Sequence, residues 1–370
     1  MRWALVMLLV GSCGVETQSE LDLLIEEQMD VGGVPSLAAG LIVDGELVWE
    51  GYYGFANIDA KERPTAHTLY PVASVSKLFT AVPVLRLVED GRVDLDAPID
   101  VSFGFSLVHP EHVDTPVTLR QLLTHSSGLE DNWFMLGQTT FEGDPEISLA
   151  EFAREYTRPG GEYYVAETNF GAAPGSRSSY CNAAFALAGH LAEIGWERDF
   201  RDLTRTQIFE PLGLQETGWF LADVDPAKLA IPYSYNPRRG QSPLEQSTFA
   251  HYPAGGLRSS IYDLSRFAQA ILGGGELEGA RIFNEETVQE MVRLQIPELS
   301  NRQGLVMRYD TVNGRQYVGH SGAGLGGSAQ FLLRPEDNAA MIVLTNSDAY
   351  VRARLGFREG RDAIERILEA

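Results

Sequence analysis

Two side chains of complementary reactivity stand three residues apart in Pro71-Val72-Ala73-Ser74-Val75-Ser76-Lys77. A serine hydroxyl attacks a carbonyl carbon only when a neighbour takes its proton, and an amine can do so. On a helix, positions i and i+3 share one face, one turn apart. Apolar residues follow at Val75, Leu78, Phe79, Val82, Leu85 and Val88. That is a helical period, and it predicts a helix with one face anchored in a core and the reactive pair at its start. Backbone N–H groups at a helix start favour the negative charge that develops during acyl transfer. Asp90-Gly91 ends the pattern, since glycine tolerates positive φ. Pro83 lies inside the pattern and removes one N–H from the helix ladder. Ser-x-x-Lys is a short motif, but Lys61, Lys77 and Lys228 are the only lysines, and about 0.2 matches are expected by chance at these frequencies.

The elements that must position this pair are legible in outline. Ser36–Val43 and Glu46–Tyr53 are β-rich runs joined at Asp44-Gly45, a hairpin signal. Thr118–Leu123 reads as a short helix with Thr118 as cap. Tyr180–Ile194, Asp199–Phe209 and Ser260–Leu272 read as longer helices. Gln316–Gly319, Ser328–Leu333 and Ala339–Thr345 read as strands, the last two antiparallel because their connection is short. Gly360–Leu368 reads as a terminal helix. Strands near both ends and helices between predict an α/β chain of the α+β type: a mixed lobe (about 25–75 and 254–370) with a mainly helical lobe (about 76–253) inserted. Residues 129–179 and 231–253 are loop-rich and aromatic. They read equally well as a pocket rim or as surface connections.

The chain has 370 residues and a formal charge of −22. It offers no basic stripe to meet phosphates, which argues against a nucleic-acid partner and against electrostatic binding to anionic lipid. Residues 1–13 carry one Arg, a short apolar run and small residues before Cys13. This is a secretory signal, too short to span a bilayer. Val10-Gly11-Ser12-Cys13 resembles a bacterial lipoprotein signal, which implies lipidation at Cys13, a polar tether over 14–24 and a place on the outer side of the bacterial inner membrane. The alternative is ordinary cleavage near Gly14 with loss of Cys13. Cys181 is the only other cysteine, so either outcome leaves no intrachain disulfide.

Three short motifs then fall in order: Ser74-Val75-Ser76-Lys77, Tyr180-Cys181-Asn182 and His320-Ser321-Gly322. Three longer stretches accompany them: 118–129 (TLRQLLTHSSGL), 253–257 (PAGGL) and 342–346 (IVLTN). Together they resemble the penicillin-recognising serine hydrolases, closest to the branch of class C β-lactamases, DD-peptidases and esterases, over about residues 25–350. The resemblance implies a β-lactamase/transpeptidase-like fold, an antiparallel sheet flanked by helices. It implies that Ser74 is acylated, that Lys77 activates it, and that Tyr180 relays protons. Asn182 would bond Lys77 and the substrate amide, and His320, Ser321 and Gly322 would contact substrate. The backbone N–H groups of Ser74 and Ala323 would form the oxyanion hole, with Ala323 on an edge strand. No metal or other cofactor is implied. The partner would be a small-molecule or peptide substrate: D-amino-acid peptides, small esters or amides and, weakly, β-lactams.

The third motif begins with Lys in many β-lactamases and with His320 here, a donor to a substrate carboxylate whose charge is conditional near neutrality. Cys181 stands where Ser is common and reads as a buried inert thiol. Gly319-His320-Ser321-Gly322-Ala323 nearly spells the nucleophile elbow of α/β-hydrolases, but that fold needs a later histidine, and His320 is the last one. The reading from another class is a non-catalytic binder or sensor that keeps the pocket without turnover.

Overall fold

The computed structural model describes residues 18–99, 107–324, 326–354 and 358–370. The expected signal segment, with Cys13, lies outside the described residues. At the centre is a six-stranded antiparallel sheet. Its strands in chain order are β1 (Ser36–Val43), β2 (Glu46–Gly54), β3 (Arg308–Val312), β4 (Arg315–Gly324), β5 (Gly327–Arg334) and β6 (Ala339–Thr345), and in space they run β3-β4-β5-β6-β1-β2. The predicted hairpin forms at Asp44-Gly45, with φ of 54° and 79°, the double positive φ that a type I′ turn demands. β1 pairs with β6 from Leu37↔Thr345 to Ile42↔Ala340, so strands from the two ends of the sequence build one sheet, as their patterns predict.

Alternation along β1 separates two cores. Ala38 and Ile42 face the main core, with Ile261 and Phe267 of helix α4 (Ile261–Leu272). Leu37 and Ala39 face a smaller core against Ile25 of α1 (Glu20–Gly32) and Ile364 of α5 (Glu359–Glu369). Helix α1 corrects the tether expected over 14–24. Ser19 caps it, its hydroxyl accepting from Asp22 N while Asp22 accepts in return from the Ser19 backbone, a capping box. The short polar run before it concealed that start. β3 was not foreseen either, being a short strand of mixed polarity.

Helix α2 (Ser76–Glu89) departs from its one-faced prediction. Every residue from Ser76 to Leu87 except Arg86 is buried, the pattern of a helix enclosed on all sides. Phe79 stacks on Phe267 at 4.0 Å. The indole of Trp196, on α3 (Asn182–Trp196), donates to Pro83 O at 2.8 Å, which ties α3 to α2 beside the proline. The two aromatic loops meet as an antiparallel pair, Thr140–Glu142 with Ser247–Phe249.

Candidate active site

Ser74 sits in a single turn of 3-10 helix, Ala73–Val75, that runs directly into α2. Ala73 holds φ at 45°, a conformation costly for a residue with a Cβ. Its surroundings over-determine it. Val72 N donates to Leu257 O at 3.0 Å, Ser76 Oγ donates to Ala73 O at 2.6 Å, and Leu257 N donates to Ser76 Oγ at 3.0 Å. The second serine of the motif is therefore a brace for the turn that carries the first. The stretch 253–257 acts from the other side, with Pro253 O accepting from Thr80 Oγ1 at 2.7 Å and Ala254 O from Lys77 Nζ at 2.5 Å.

Lys77 is fully buried. Its Nζ lies 2.7 Å from Asn182 Oδ1, 2.5 Å from Ala254 O and 3.2 Å from Ser74 Oγ. The first two are acceptors only and hold two N–H groups. The direction left toward Ser74 Oγ is the axis along which a proton passes between hydroxyl and amine. The amide orientation of Asn182 is fixed by Asp131, whose Oδ2 accepts from Asn182 Nδ2 at 2.6 Å and whose Oδ1 accepts from the backbone N–H of Asn182 at 2.7 Å and Ala183 at 3.1 Å. Asp131 thus lies at the start of α3, where the helix dipole favours a carboxylate. Burial pushes its pKa up, and those backbone bonds and the nearby Lys77 charge pull against it. Cys181 caps α3 through Sγ, accepting from Ala184 N at 3.4 Å. It is a free buried thiol whose pKa burial pushes well up.

Tyr180 lies beside the pair, its ring centroid 4.9 Å from Lys77 Nζ and 6.0 Å from the Arg308 guanidinium carbon. His125 packs on the ring at 4.3 Å. Two neutral histidines of opposite tautomer flank this phenol. His125 Nδ1 accepts from Cys181 N at 3.1 Å, so its proton is on Nε2; His320 Nδ1 lies 2.7 Å from the carbonyl of Ser321, so its proton is on Nδ1. Burial first, then the charge of Lys77, holds His320 down to about 3 and His125 well below 6.5.

The third motif is placed differently from the expectation of direct substrate contact. His320 is 4% exposed and lies 6.2 Å from Tyr180, ring to ring. Neutral, with Nδ1–H committed to Ser321 O, it is not a charged clasp for a carboxylate. Gly322 is buried against the nucleophile's turn, and a Cβ there would stand 2.2 Å from Val72 O. Ser321 is exposed and does not line the cleft; Ala323 and Gly324 do. β4 is an interior strand as far as Gly319, which pairs with Arg308, and has no β3 partner beyond it. The Ala323 end is thus free-edged, as an incoming carbonyl requires.

The cleft, of ≈ 320 Å³, is open to Ser74, Tyr180, Asn182 and Ala323. Its roof comes from both aromatic loops, with Trp133, Leu136 and Thr140 from the first and Glu245 to Ser247, Phe249 and His251 from the second. They are a pocket rim. Asp131, His125 and Arg308, which contact Asn182 or Tyr180, were not singled out from the sequence. Asp131 is one of many acids in an acidic loop and left no signal, His125 lay within a stretch that was quoted only as a whole, and Arg308 sits on the unforeseen strand. Among the described residues no group of side chains is arranged to hold a metal ion, and no helix is long and apolar enough to cross a membrane.

The sequence model of the beta-lactamase family matches residues 21–364. A D-aminopeptidase of Cereibacter sphaeroides is 27% identical over 320 residues, covering 86% of this chain and 58% of that protein, so the chain spans under two thirds of that relative's length. Among solved structures, the D-amino acid amidase of Ochrobactrum anthropi SV3 in complex with D-phenylalanine superposes with a TM-score of 0.71 at 25% identity, covering 95% of this chain and 99% of that one. The octameric penicillin-binding protein homologue of Pyrococcus abyssi gives a TM-score of 0.71 at 24% identity, covering 91% and 77%.

Proposed function

Because this chain belongs to the beta-lactamase family, we propose that it is a serine hydrolase that opens amide bonds, and small esters, through an acyl-enzyme on Ser74. The observation that carries this is the approach of Lys77 Nζ to 3.2 Å of Ser74 Oγ while Asn182 Oδ1 and Ala254 O fix the amine from the other side.

The proposed steps are those of acyl transfer. Lys77, in the fraction that carries the free amine, takes the Ser74 hydroxyl proton as Oγ bonds to the substrate carbonyl carbon. The carbonyl electron pair moves to oxygen, and the backbone N–H groups of Ser74 and Ala323 receive that oxyanion. Tyr180, beside Lys77, passes a proton to the leaving nitrogen or oxygen as its bond to carbon breaks. A water then gives a proton back through the same groups, attacks the acyl carbon and releases Ser74. The cleft is sized for amino-acid derivatives. The D-aminopeptidase and D-amino acid amidase relatives support D-amino-acid amides or short D-peptides as substrates. β-Lactams are expected to be poor substrates, since the neutral His320 offers their carboxylate no charge. The composition of residues 1–13 supports export and a lipid anchor on Cys13.

The test is intact mass followed by peptide mapping after treating the protein lacking residues 1–13 with a fluorophosphonate. A single adduct on Ser74, lost in Ser74→Ala and nearly lost in Lys77→Ala, is expected. Labelling at Ser321, or none on folded protein, overturns the mechanism.

A further inference from the structure

We propose that Arg308 is a positioning residue that keeps a lasting positive charge beside Tyr180 while Lys77 gains and loses its own. This rests on the acyl-transfer reading of the cleft. It adds what that reading leaves open: what favours the deprotonated phenol when Lys77 is neutral.

Two cations flank the Tyr180 ring, Lys77 Nζ at 4.9 Å and the Arg308 guanidinium carbon at 6.0 Å. They differ in one respect. Lys77 must be a free amine to take the Ser74 proton, so its charge is absent for part of the cycle. A guanidinium keeps its proton throughout. Burial lowers the pKa of Arg308, but from a value so far above neutrality that the charge persists. The other groups facing the ring do not replace it. His125, packed at 4.3 Å, and His320, at 6.2 Å, are both neutral. The carboxylates on neighbouring segments are committed, Glu130 accepting from Ser179 Oγ and Asp131 from Asn182 Nδ2, each at 2.6 Å.

The charge of Arg308 is also undiluted. β3 sets Arg308 opposite Gly319, the residue before His320. Its Nε is buried and meets no acceptor, and no carboxylate pairs with the guanidinium among the described residues. Asp310, two places along β3, is paired instead with Arg302 at 2.9 Å. Buried arginines are ordinarily paired, because an uncompensated charge is costly. What this one faces is a phenol, whose negative form a nearby cation favours. Tyr70 and Tyr156 are buried phenols with no cation over their rings among the described residues, and burial pushes both up.

A titration tests this without turnover. The full chain, with its tyrosines isotopically labelled at Cζ, is followed by NMR as pH rises; the Tyr180 resonance is the one missing from Tyr180→Phe. One charge at about 6 Å in a cleft wall moves a titration midpoint by about one to two pH units. Arg308→Met and Arg308→Gln, two neutral side chains of different polarity, should each raise the Tyr180 midpoint by at least about one pH unit. Arg308→Lys, which keeps the charge, should move it less than half as far. On p-nitrophenyl acetate, an ester with no carboxylate for an arginine to bind, the neutral variants should lower kcat by about ten-fold at about pH 7 with KM nearly unchanged, and Arg308→Lys should recover most of the loss. A midpoint unmoved in both neutral variants overturns the inference. So does a wild-type Tyr180 that stays protonated up to alkaline unfolding, or an effect confined to KM for carboxylate-bearing esters, which would make Arg308 a ligand clasp. The fluorophosphonate adduct on Ser74 is scored separately. A labelled Ser74 with an unmoved midpoint refutes the role of Arg308 alone, and a midpoint that moves in a protein whose Ser74 is unlabelled refutes the hydrolase reading alone.

Discussion

Lowering the pH from about 7 to about 5.5 is expected to destabilise the fold by about 2–3 kcal/mol through two histidines of the active site alone. His251 and His320 are held down to about 3 by burial and by Lys77, and His125 well below its ordinary 6.5 for the same reasons. In this window the folded chain leaves His251 and His320 unprotonated, and His125 acts with the same sign. The unfolded chain protonates each from about one quarter at the upper pH to about nine tenths at the lower, given an unfolded pKa near 6.5. The unfolded state thus binds more protons, so stability falls as pH falls, by about 1 kcal/mol for each of His251 and His320. The contribution is complete above the unfolded pKa and is lost on the way down to about 3. His109, also lowered by burial, acts with the same sign. The assay is urea unfolding followed by tryptophan fluorescence at the two pH values, with the slope m checked for constancy. His251→Gln should remove about 1 kcal/mol of the pH-dependent loss. A loss under about 1 kcal/mol in the wild type, or an undiminished loss in the variant, would refute the claim that these imidazoles are buried neutral.

Three other perturbations probe how the site is held. Gly322→Ala places a methyl 2.2 Å from Val72 O; separating β4 from the nucleophile's turn should cut fluorophosphonate labelling by about 100-fold, the scale of losing an oxyanion donor. Asp131→Ala leaves Asn182 without its carboxylate partner and should lower kcat on an ester substrate more than it raises KM, while costing about 2–3 kcal/mol in urea unfolding; a pure KM effect would count against its positioning role. Tyr70→Phe removes the buried hydroxyl 3.0 Å from Ser36 Oγ and should cost about 1 kcal/mol with labelling unchanged.

The central sheet was legible because it is written in local chemistry. Asp44-Gly45 specifies its own turn, and β5 and β6 are β-rich runs with a connection too short for anything but antiparallel pairing. The nucleophile and its amine were legible because three-residue spacing is all that a helix needs to bring them together. What the sequence concealed depends on contacts far apart along the chain. Asp131 and Asn182 meet across 51 positions, and Lys77 and Ala254 across 177, with no local pattern to announce either. His320 was misjudged because its exposure, and hence its charge, is decided by what packs around it. The start of α1 at Ser19 was hidden by polar residues that look the same in a tether and in a capped first turn.

The joining of the two aromatic loops by three residue pairs, Thr140↔Phe249, Phe141↔Thr248 and Glu142↔Ser247, makes the roof a single cassette laid over a separate catalytic floor. Relatives could exchange substrates by replacing that cassette while Ser74, Lys77 and Asn182 stay where they are. The same seam limits how this can be done. A transplanted first loop without its second would lose its hydrogen-bonded partner and leave a raw strand edge over the cleft, so a chimera with altered selectivity must carry both halves.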